Sequence, residues 1–470
     1  MLDPDGCFRA LRAHDARFDG VFFVGIRTTG IYCRPICPAR PARRDSCLFF
    51  DNAAAAEREG FRPCLRCRPE IAPGNARTDA VSRIAASALA RIEGGALNES
   101  SVDDLALEFG VTARHLRRAV EQEYGVAPVE IAQTQRLLLA KQLLTETSLP
   151  VTEIAFASGF SSVRRFNALF QERYRLSPTR VRGRRALAEL GATIQCEVSY
   201  RPPFDWLATL QFLRIRAIAG IETVDATRYS RKVVIGKHTG DVAVFPSPRK
   251  NALRVEMSAN LSPVLGMVLT RVKRLFDLGA HPQMIEARLA EDPRLAPVVL
   301  ANPGLRVPGA FDGFEMALRA VLGQQVSVQA ARTIAGRFVT AFEGIDAGRI
   351  ASATTEQVRA LGLTGSRTVT VLALARAVAE GAVRLEPGVD IERTMARLKE
   401  LPGIGEWTAQ YIAMRALGWP DAFPHTDLGV YKALGTRSPK QVLEIAAAWS
   451  PWRAYSVIYL WKSLGSAEAK

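Results

Sequence analysis

Four cysteines in two short-spaced pairs, Cys33-Arg-Pro-Ile-Cys37 and Cys64-Leu-Arg-Cys67, carry the strongest chemical signal in this sequence. Each pair lets two thiolates from one tight turn meet a single ion. Two pairs complete a tetrahedral four-sulfur site, the coordination that Zn2+ takes. Closed four-thiolate sites are most often structural, yet a zinc-bound sulfur stays thiolate at neutral pH and is a nucleophile without a separate base. Spacing alone therefore leaves a reactive site open beside a structural one. Cys7 and Cys47 lack a paired spacing and read as ordinary thiols, and Cys196 alternates with apolar residues as a core position does.

A second group lies far downstream. Leu401-Pro-Gly-Ile-Gly405-Glu-Trp407 reads as a helix-hairpin-helix turn in which Gly403 and Gly405 permit a tight bend whose backbone N–H groups reach a DNA phosphate. Such a turn also suits a plain DNA clamp. Phe423-Pro-His-Thr-Asp427 then supplies a carboxylate beyond the next helix. Trp407 and Tyr411 are spaced i, i+4 and share a helix face. With Trp461 and Phe212 they are candidates for an aromatic pocket around a flipped base, with ordinary core packing as the alternative.

A third group is built for nucleic acid. Ser101 to Thr112 reads as a capped helix with a Gly turn, followed by a helix from Ala113 to Tyr124. The pattern returns at Pro150–Ser161 and Ser162–Tyr174. Thr112 and Ser161 are the expected caps of the second helix in each copy. Leu105, Val111 and Leu116, and again Ile154, Phe160 and Phe166, have the spacing that packs the paired helices. Arg114, His115, Arg117 and Arg118, with Arg164, Arg165 and Asn167, would face phosphate and base edges. A single helical pair would equally suit a bundle that binds no DNA.

These motifs carry three resemblances. The run Asp19-Gly-Val-Phe-Phe-Val-Gly-Ile-Arg-Thr-Thr-Gly-Ile-Tyr-Cys33-Arg-Pro35, with Gly60-Phe-Arg-Pro-Cys64, resembles the N-terminal domain of the Ada family. The resemblance implies that Cys33, Cys37, Cys64 and Cys67 bind Zn2+ and that Cys33 irreversibly takes a methyl group from a DNA methylphosphotriester. Arg34, Arg40, Arg43, Arg44, Arg62, Arg66 and Arg68 would supply a cationic surface for the DNA. The tandem helical pairs, with Gly159-Phe-Ser-Ser162 and Arg175-Leu-Ser-Pro-Thr179, look like an AraC-type domain, which implies promoter DNA and RNA polymerase as partners. Tyr200-Arg-Pro-Pro-Phe-Asp-Trp206, Arg306-Val-Pro-Gly309, Leu322-Gly-Gln-Gln-Val-Ser-Val328 and Pro451-Trp-Arg-Ala-Tyr455 resemble the AlkA-type 3-methyladenine DNA glycosylases.

That last resemblance makes Asp427 the catalytic carboxylate and places the base-displacing wedge in the 323–326 turn, at Gln325. An N-alkylated purine already carries positive charge, so stabilising cationic sugar character and assisting water suffices. Family members that also cleave the strand carry Lys at the position of Trp407, so Schiff-base chemistry is not expected. His425, two residues before Asp427, reads as a solvent-facing loop residue.

The elements that must hold these groups follow from the pattern. Residues 1–75 form an α+β zinc domain and 78–185 an all-α helix-turn-helix domain. Residues 193–300 form a small α/β domain, and 301–470 an all-α helix-hairpin-helix domain. The loop-like Ile71–Thr78 and the Arg-rich Thr179–Ala186 mark the first two boundaries. Strand character is expected over 192–200, 231–238, 241–247 and 251–259, with a helix near 203–217.

The net charge of +15 arises from 28 basic against 21 acidic residues over 1–185 and 34 against 26 over 186–470. The excess is spread along the chain, as suits polyanion binding by both halves. No apolar run reaches the roughly 18–20 residues of a membrane span, and no signal core opens the chain. A cytoplasmic protein without membrane contact is expected. The remaining alternative is an AraC-type regulator whose C-terminal half clamps DNA without catalysis.

Overall fold

The computed structural model describes residues 3–73, 83–182, 193–248 and 250–465, so Ile71–Thr78 and Thr179–Ala186 lie partly outside it. The chain packs as two compact units. The first comprises 1–202, 233–273 and 278–280; the second comprises 203–232, 274–277 and 281–470. Among the described residues no helix is long and apolar enough to cross a membrane.

The first unit opens with a four-stranded sheet whose order is Cys47–Phe50, Phe23–Ile26, Ile31–Cys33, Arg62–Pro63. Gly30, at φ +64°, closes the hairpin between the two central strands. Strand Ile31–Cys33 pairs in parallel with Arg62–Pro63, Tyr32 opposite Pro63, and the Cys64 N–H donates to the Tyr32 carbonyl at 2.9 Å. That register delivers Cys64 beside Cys33, although 30 residues of chain lie between them.

The helical part follows the expected plan. Helix Val102–Glu108 starts at a capping box in which Ser101 and Asp104 satisfy each other's backbone N–H groups. Thr112 caps Ala113–Tyr124 through the His115 N–H. In the second copy the cap of Val163–Tyr174 is Ser162, which accepts the Arg165 N–H, and not Ser161. Gly110 and Gly159 make the turns at positive φ. Leu105, Leu116, Ile154 and Phe166 are fully buried, and Val111 is half-buried against the same core.

The 19-residue helix Pro128–Glu146 between the two copies is the spine of this unit. Thr134 donates to Glu57 and Lys141 donates to Glu70 (2.5 Å) and to the Cys64 carbonyl (2.9 Å). Glu146 pairs with Arg68 and accepts the Glu197 N–H. Glu197 belongs to strand Thr193–Ser199, which pairs antiparallel with Ala252–Ser258, itself paired with His238–Pro246. Cys196 is buried in that strand.

In the second unit, helix Trp206–Arg216 starts at the Asp205 cap, and Glu222–Val224 forms a short hairpin with residues 229–231. The rest is helical. Helices Gly313–Leu322 and Val328–Phe342 flank the 323–327 turn, and helix Gly365–Ala379 lies beside it. The pair Ile391–Glu400 and Glu406–Arg415 encloses the Leu401–Gly405 hairpin, with Leu428–Leu434 and Arg453–Ser463 beyond. A buried ionic cluster fixes the first helix to this body. Arg231 meets Glu315 at 2.8 Å, Arg319 meets Glu222 at 2.5 Å and Glu315 at 2.6 Å, and Arg319 also donates to the Arg216 carbonyl. Burial of such charges is tolerable only because each has its partners.

Candidate functional sites

The Sγ atoms of Cys33, Cys37, Cys64 and Cys67 all lie within 4.8 Å of one another, and all four side chains are buried. Four soft sulfurs converging on one point are the donor set of a tetrahedral Zn2+ site, so these residues fit the metal. Crowded this closely, the thiols share protons unequally: hydrogen bonding from Cys33 draws Cys64 down, while Cys33 is raised by its bonds to Cys37 and Cys64.

The sulfurs are not equivalent. The Arg34 N–H donates to Cys67 Sγ and the Arg66 N–H to Cys64 Sγ, each at 3.3 Å, and Cys37 has the Ala39 N–H. No described backbone N–H donates to Cys33. A hydrogen bond draws electron density from a thiolate, and Cys33 is the ligand without that withdrawal by a described backbone N–H. At 9% exposure, against 3–6% for the others, it is also the least covered.

The expected cationic rim is only partly present. Arg34 is buried, ion-paired with Asp19 and bonded to the Cys67 carbonyl, so it braces the ligand turn and does not face DNA. Arg68 is held by Glu70 and Glu146, and Arg44 pairs with Asp5 at 3.0 Å. Arg40, Arg43 and Arg66 are exposed, and Arg62 is half-buried. On the helical side, Arg114, His115, Arg117, Arg118, Arg164, Arg165 and Asn167 are all exposed, each on the second helix of its copy.

In the second unit, Asp427 caps helix Leu428–Leu434. Its Oδ1 accepts the N–H groups of Gly429 (2.9 Å) and Val430 (3.1 Å) and the Trp461 indole N–H (2.9 Å). Oδ2 accepts the Trp407 indole N–H at 2.9 Å. Gly429 makes this possible, since a Cβ there would sit 2.8–2.9 Å from the Trp461 ring.

The four sequence-expected aromatics converge on this carboxylate. Trp407 stacks on Tyr411 (centroids 5.3 Å, 16°), Phe212 stacks on Trp461 (6.4 Å, 17°), and Tyr411 joins the two pairs at 6.4 Å from Trp461. His425 makes no hydrogen bond to Asp427 among the described residues.

Sequence reasoning missed two members of this cluster. The Arg216 guanidinium lies 3.8 Å from the Phe212 centroid, and Arg415 lies 4.7 Å from it while donating to the Tyr411 hydroxyl at 2.9 Å. Burial pushes Arg216 down and Arg415 down to about 10. Their signal was available, because Phe212–Arg216 and Tyr411–Arg415 are both i, i+4 pairs.

The hairpin glycines differ in role. Gly403 has φ +78° and its missing side chain admits Thr370, whose Oγ1 would lie 2.1 Å from a Cβ. Gly405 begins helix Glu406–Arg415 in extended backbone. Gln325 is exposed at φ +52°, a left-handed conformation that a non-glycine residue adopts only when its surroundings impose it.

Comparison with known proteins places the chain in a family. A probable bifunctional transcriptional activator/DNA repair enzyme AlkA of Mycobacterium tuberculosis is 38% identical over 481 aligned residues, covering 98% of this chain and 97% of its own. The chain belongs to this family of bifunctional activator/DNA repair enzymes. Within it, the metal-binding domain of Ada matches residues 6–70 and a helix-turn-helix domain matches 105–184. The AlkA N-terminal domain matches 195–312 and the HhH-GPD base excision DNA repair superfamily matches 318–438.

The two halves have separate relatives in Escherichia coli. DNA-3-methyladenine glycosylase 2 is 34% identical over 57% of this chain and 97% of its own. The bifunctional transcriptional activator/DNA repair enzyme Ada is 34% identical over 33% of this chain and 42% of its own. With the Ada-type domain and the four-cysteine cluster together, the cofactor of this bifunctional protein is Zn2+.

Proposed function

We propose that this protein repairs DNA alkylation in two chemically distinct ways and reports the damage as a transcriptional regulator. Residues 1–75 accept the methyl group, 78–185 bind promoter DNA and engage RNA polymerase, and 193–470 excise alkylated bases in the cytoplasm. The observation that carries the reading is that one chain holds both a four-cysteine cluster in which Cys33 alone takes no described backbone N–H and a carboxylate ringed by aromatic side chains.

Cys33, Cys37, Cys64 and Cys67 would hold Zn2+, which when bound keeps the sulfurs deprotonated at neutral pH. Cys33 Sγ attacks the methyl carbon of a methylphosphotriester. The methyl carbon–oxygen bond breaks, the DNA regains an anionic phosphodiester, and the sulfur becomes a thioether. Nothing in the site reverses this, so each molecule acts once. The exposed Arg40, Arg43 and Arg66 hold the DNA. Methylation removes one unit of negative charge from the centre. At about 6 Å and an effective dielectric of roughly 20–40, that is worth about 1–3 kcal/mol against one phosphate, enough to raise operator binding.

At the second site the aromatic rings receive a flipped, electron-poor base. Asp427 faces the sugar. Three N–H donors occupy Oδ1 and one occupies Oδ2, so Oδ2 keeps accepting capacity. It stabilises positive charge as the glycosidic bond breaks and takes a proton from the water that adds to the sugar carbon. Trp407 occupies the place of a lyase lysine, so the product is an intact abasic strand. Gln325 fills the space the base leaves.

Separation of function tests the reading in the full-length protein. Cys33→Ser should abolish methyl uptake and leave release of 3-methyladenine intact, and Asp427→Asn should do the reverse. Loss of both activities from either substitution contradicts two independent sites.

A further inference from the structure

The 323–327 turn is tied to the hairpin and to the Trp407 helix, Glu406–Arg415, by one side chain. Both N–H groups of the Gln324 amide are used: one donates to the Gly403 carbonyl at 2.9 Å, the other to Thr408 Oγ1 at 2.8 Å. Thr408 is 2% exposed and directly follows Trp407, whose indole N–H holds Asp427.

The backbone of the same residue is gripped from a third side, since Arg367 donates to the Gln324 carbonyl at 2.5 Å. Arg367 stands in the first turn of helix Gly365–Ala379, the helix whose Thr370 fills the space left by Gly403. Next in sequence is Gln325, exposed and at φ +52°. A strained residue persists only where its neighbours over-determine it, and Gln324 supplies three of the bonds that do so.

We infer that Gln324 is a positioning residue for base flipping: it locks the Gln325 turn, the DNA-gripping hairpin and the helix whose Trp407 holds Asp427 into one rigid tool. The inference rests on the glycosylase reading above. A wedge that presses into the duplex must push against something fixed. Here the reaction force passes through the Gln324 amide to the hairpin that holds the DNA backbone. Without the lock the turn relaxes, and Gln325 follows the strand instead of displacing the base. Chemistry on an already extruded base requires no wedge and should be spared.

The test uses the full-length protein and duplexes carrying a single 7-methylguanine, either paired with cytosine or placed opposite an abasic site. Gln324→Met keeps the length and removes both donors. Thr408→Val removes one acceptor, and Thr408→Ser restores it. For Gln324→Met the expected single-turnover loss on the paired base is about 10- to 100-fold. On the unpaired base it should be under about 3-fold, with duplex affinity nearly unchanged. The fluorescence rise of a 2-aminopurine flanking the lesion should fall in parallel. Thr408→Val should show an intermediate loss that Thr408→Ser recovers.

Equal losses on both substrates would mean that Gln324 merely supports the fold of the site, and unchanged release from the paired duplex would mean that it positions nothing. Either overturns the inference while leaving the glycosylase reading standing. Failure of the wild-type protein to release the base from either duplex would overturn that reading and the inference with it.

Discussion

Replacing Asp427 by Asn separates two effects that a simple loss of activity would confuse. In the proposed reaction the carboxylate faces a sugar that becomes cationic as the base departs. One unit of charge about 4 Å away, at an effective dielectric near 20, is worth about 4 kcal/mol, or about a 1000-fold slower single-turnover release of 3-methyladenine.

The substitution also disturbs the fold. Three N–H donors converge on Oδ1, so the new amide keeps its oxygen there and turns its NH2 toward the Trp407 indole N–H, 2.9 Å from Oδ2 in the parent. Two donors then face each other, at a cost of about 1–3 kcal/mol. Trp407→Phe removes the opposing N–H and keeps a ring to stack on Tyr411. The double variant Asp427→Asn/Trp407→Phe should therefore recover most of the thermal stability lost by Asp427→Asn alone, and none of the activity. Recovery of release to within about 10-fold of the parent would refute the reasoning, because the charge of the carboxylate would then not be what the reaction uses.

Three further outcomes are expected. Borohydride should trap no covalent adduct between the protein and alkylated DNA, because Trp407 supplies no amine; an adduct through the C-terminal half would contradict monofunctional hydrolysis. Glu57 is fully buried beneath Tyr32 and Thr134, and burial lifts its carboxyl from the usual range to about 7. A raised folded-state value means that the native form binds the extra proton, so stability from this group is complete below about pH 4.5 and is lost as pH rises through about 7, by about 3 kcal/mol. Glu57→Gln should flatten that part of the stability profile measured by denaturant unfolding, and an unchanged slope would show that Glu57 is ionised throughout. Finally, with Cys33 methylated, operator affinity of the full chain should rise about 10- to 100-fold at low salt and less at high salt; equal affinity for both forms would rule out an electrostatic switch.

The cysteine pairs, the helix caps and the hairpin were legible because each is local. Ser101, Thr112, Gly403 and the Cys-x3-Cys turn act within a few residues of themselves. Ser161 and Ser162 both sit near capping distance in sequence, and the hydrogen bond from the Arg165 N–H makes Ser162 the cap.

What the sequence hid depends on long-range pairing. Arg34 and Arg68 look like DNA-facing cations until Asp19, Glu70 and Glu146 are brought against them. The parallel register of Tyr32 with Pro63 gives no periodic signal. Asp427 was recognisable by its place after the hairpin. Its hold by two indoles, 20 and 34 residues distant, was not. Gln324 reads as one more turn residue until its two N–H groups are followed to Gly403 and Thr408.

The central claim is that one chain carries both a one-use methyl acceptor and a base-excising site. Incubating the full-length, zinc-loaded protein with methylated duplex DNA, and analysing both protein and supernatant by mass spectrometry, tests it most directly. The account predicts the mass increase of a single methyl group, located on the peptide containing Cys33, together with free 3-methyladenine that accumulates beyond one equivalent per protein. A methyl group on another cysteine, or on none, or a supernatant free of released base, would contradict it.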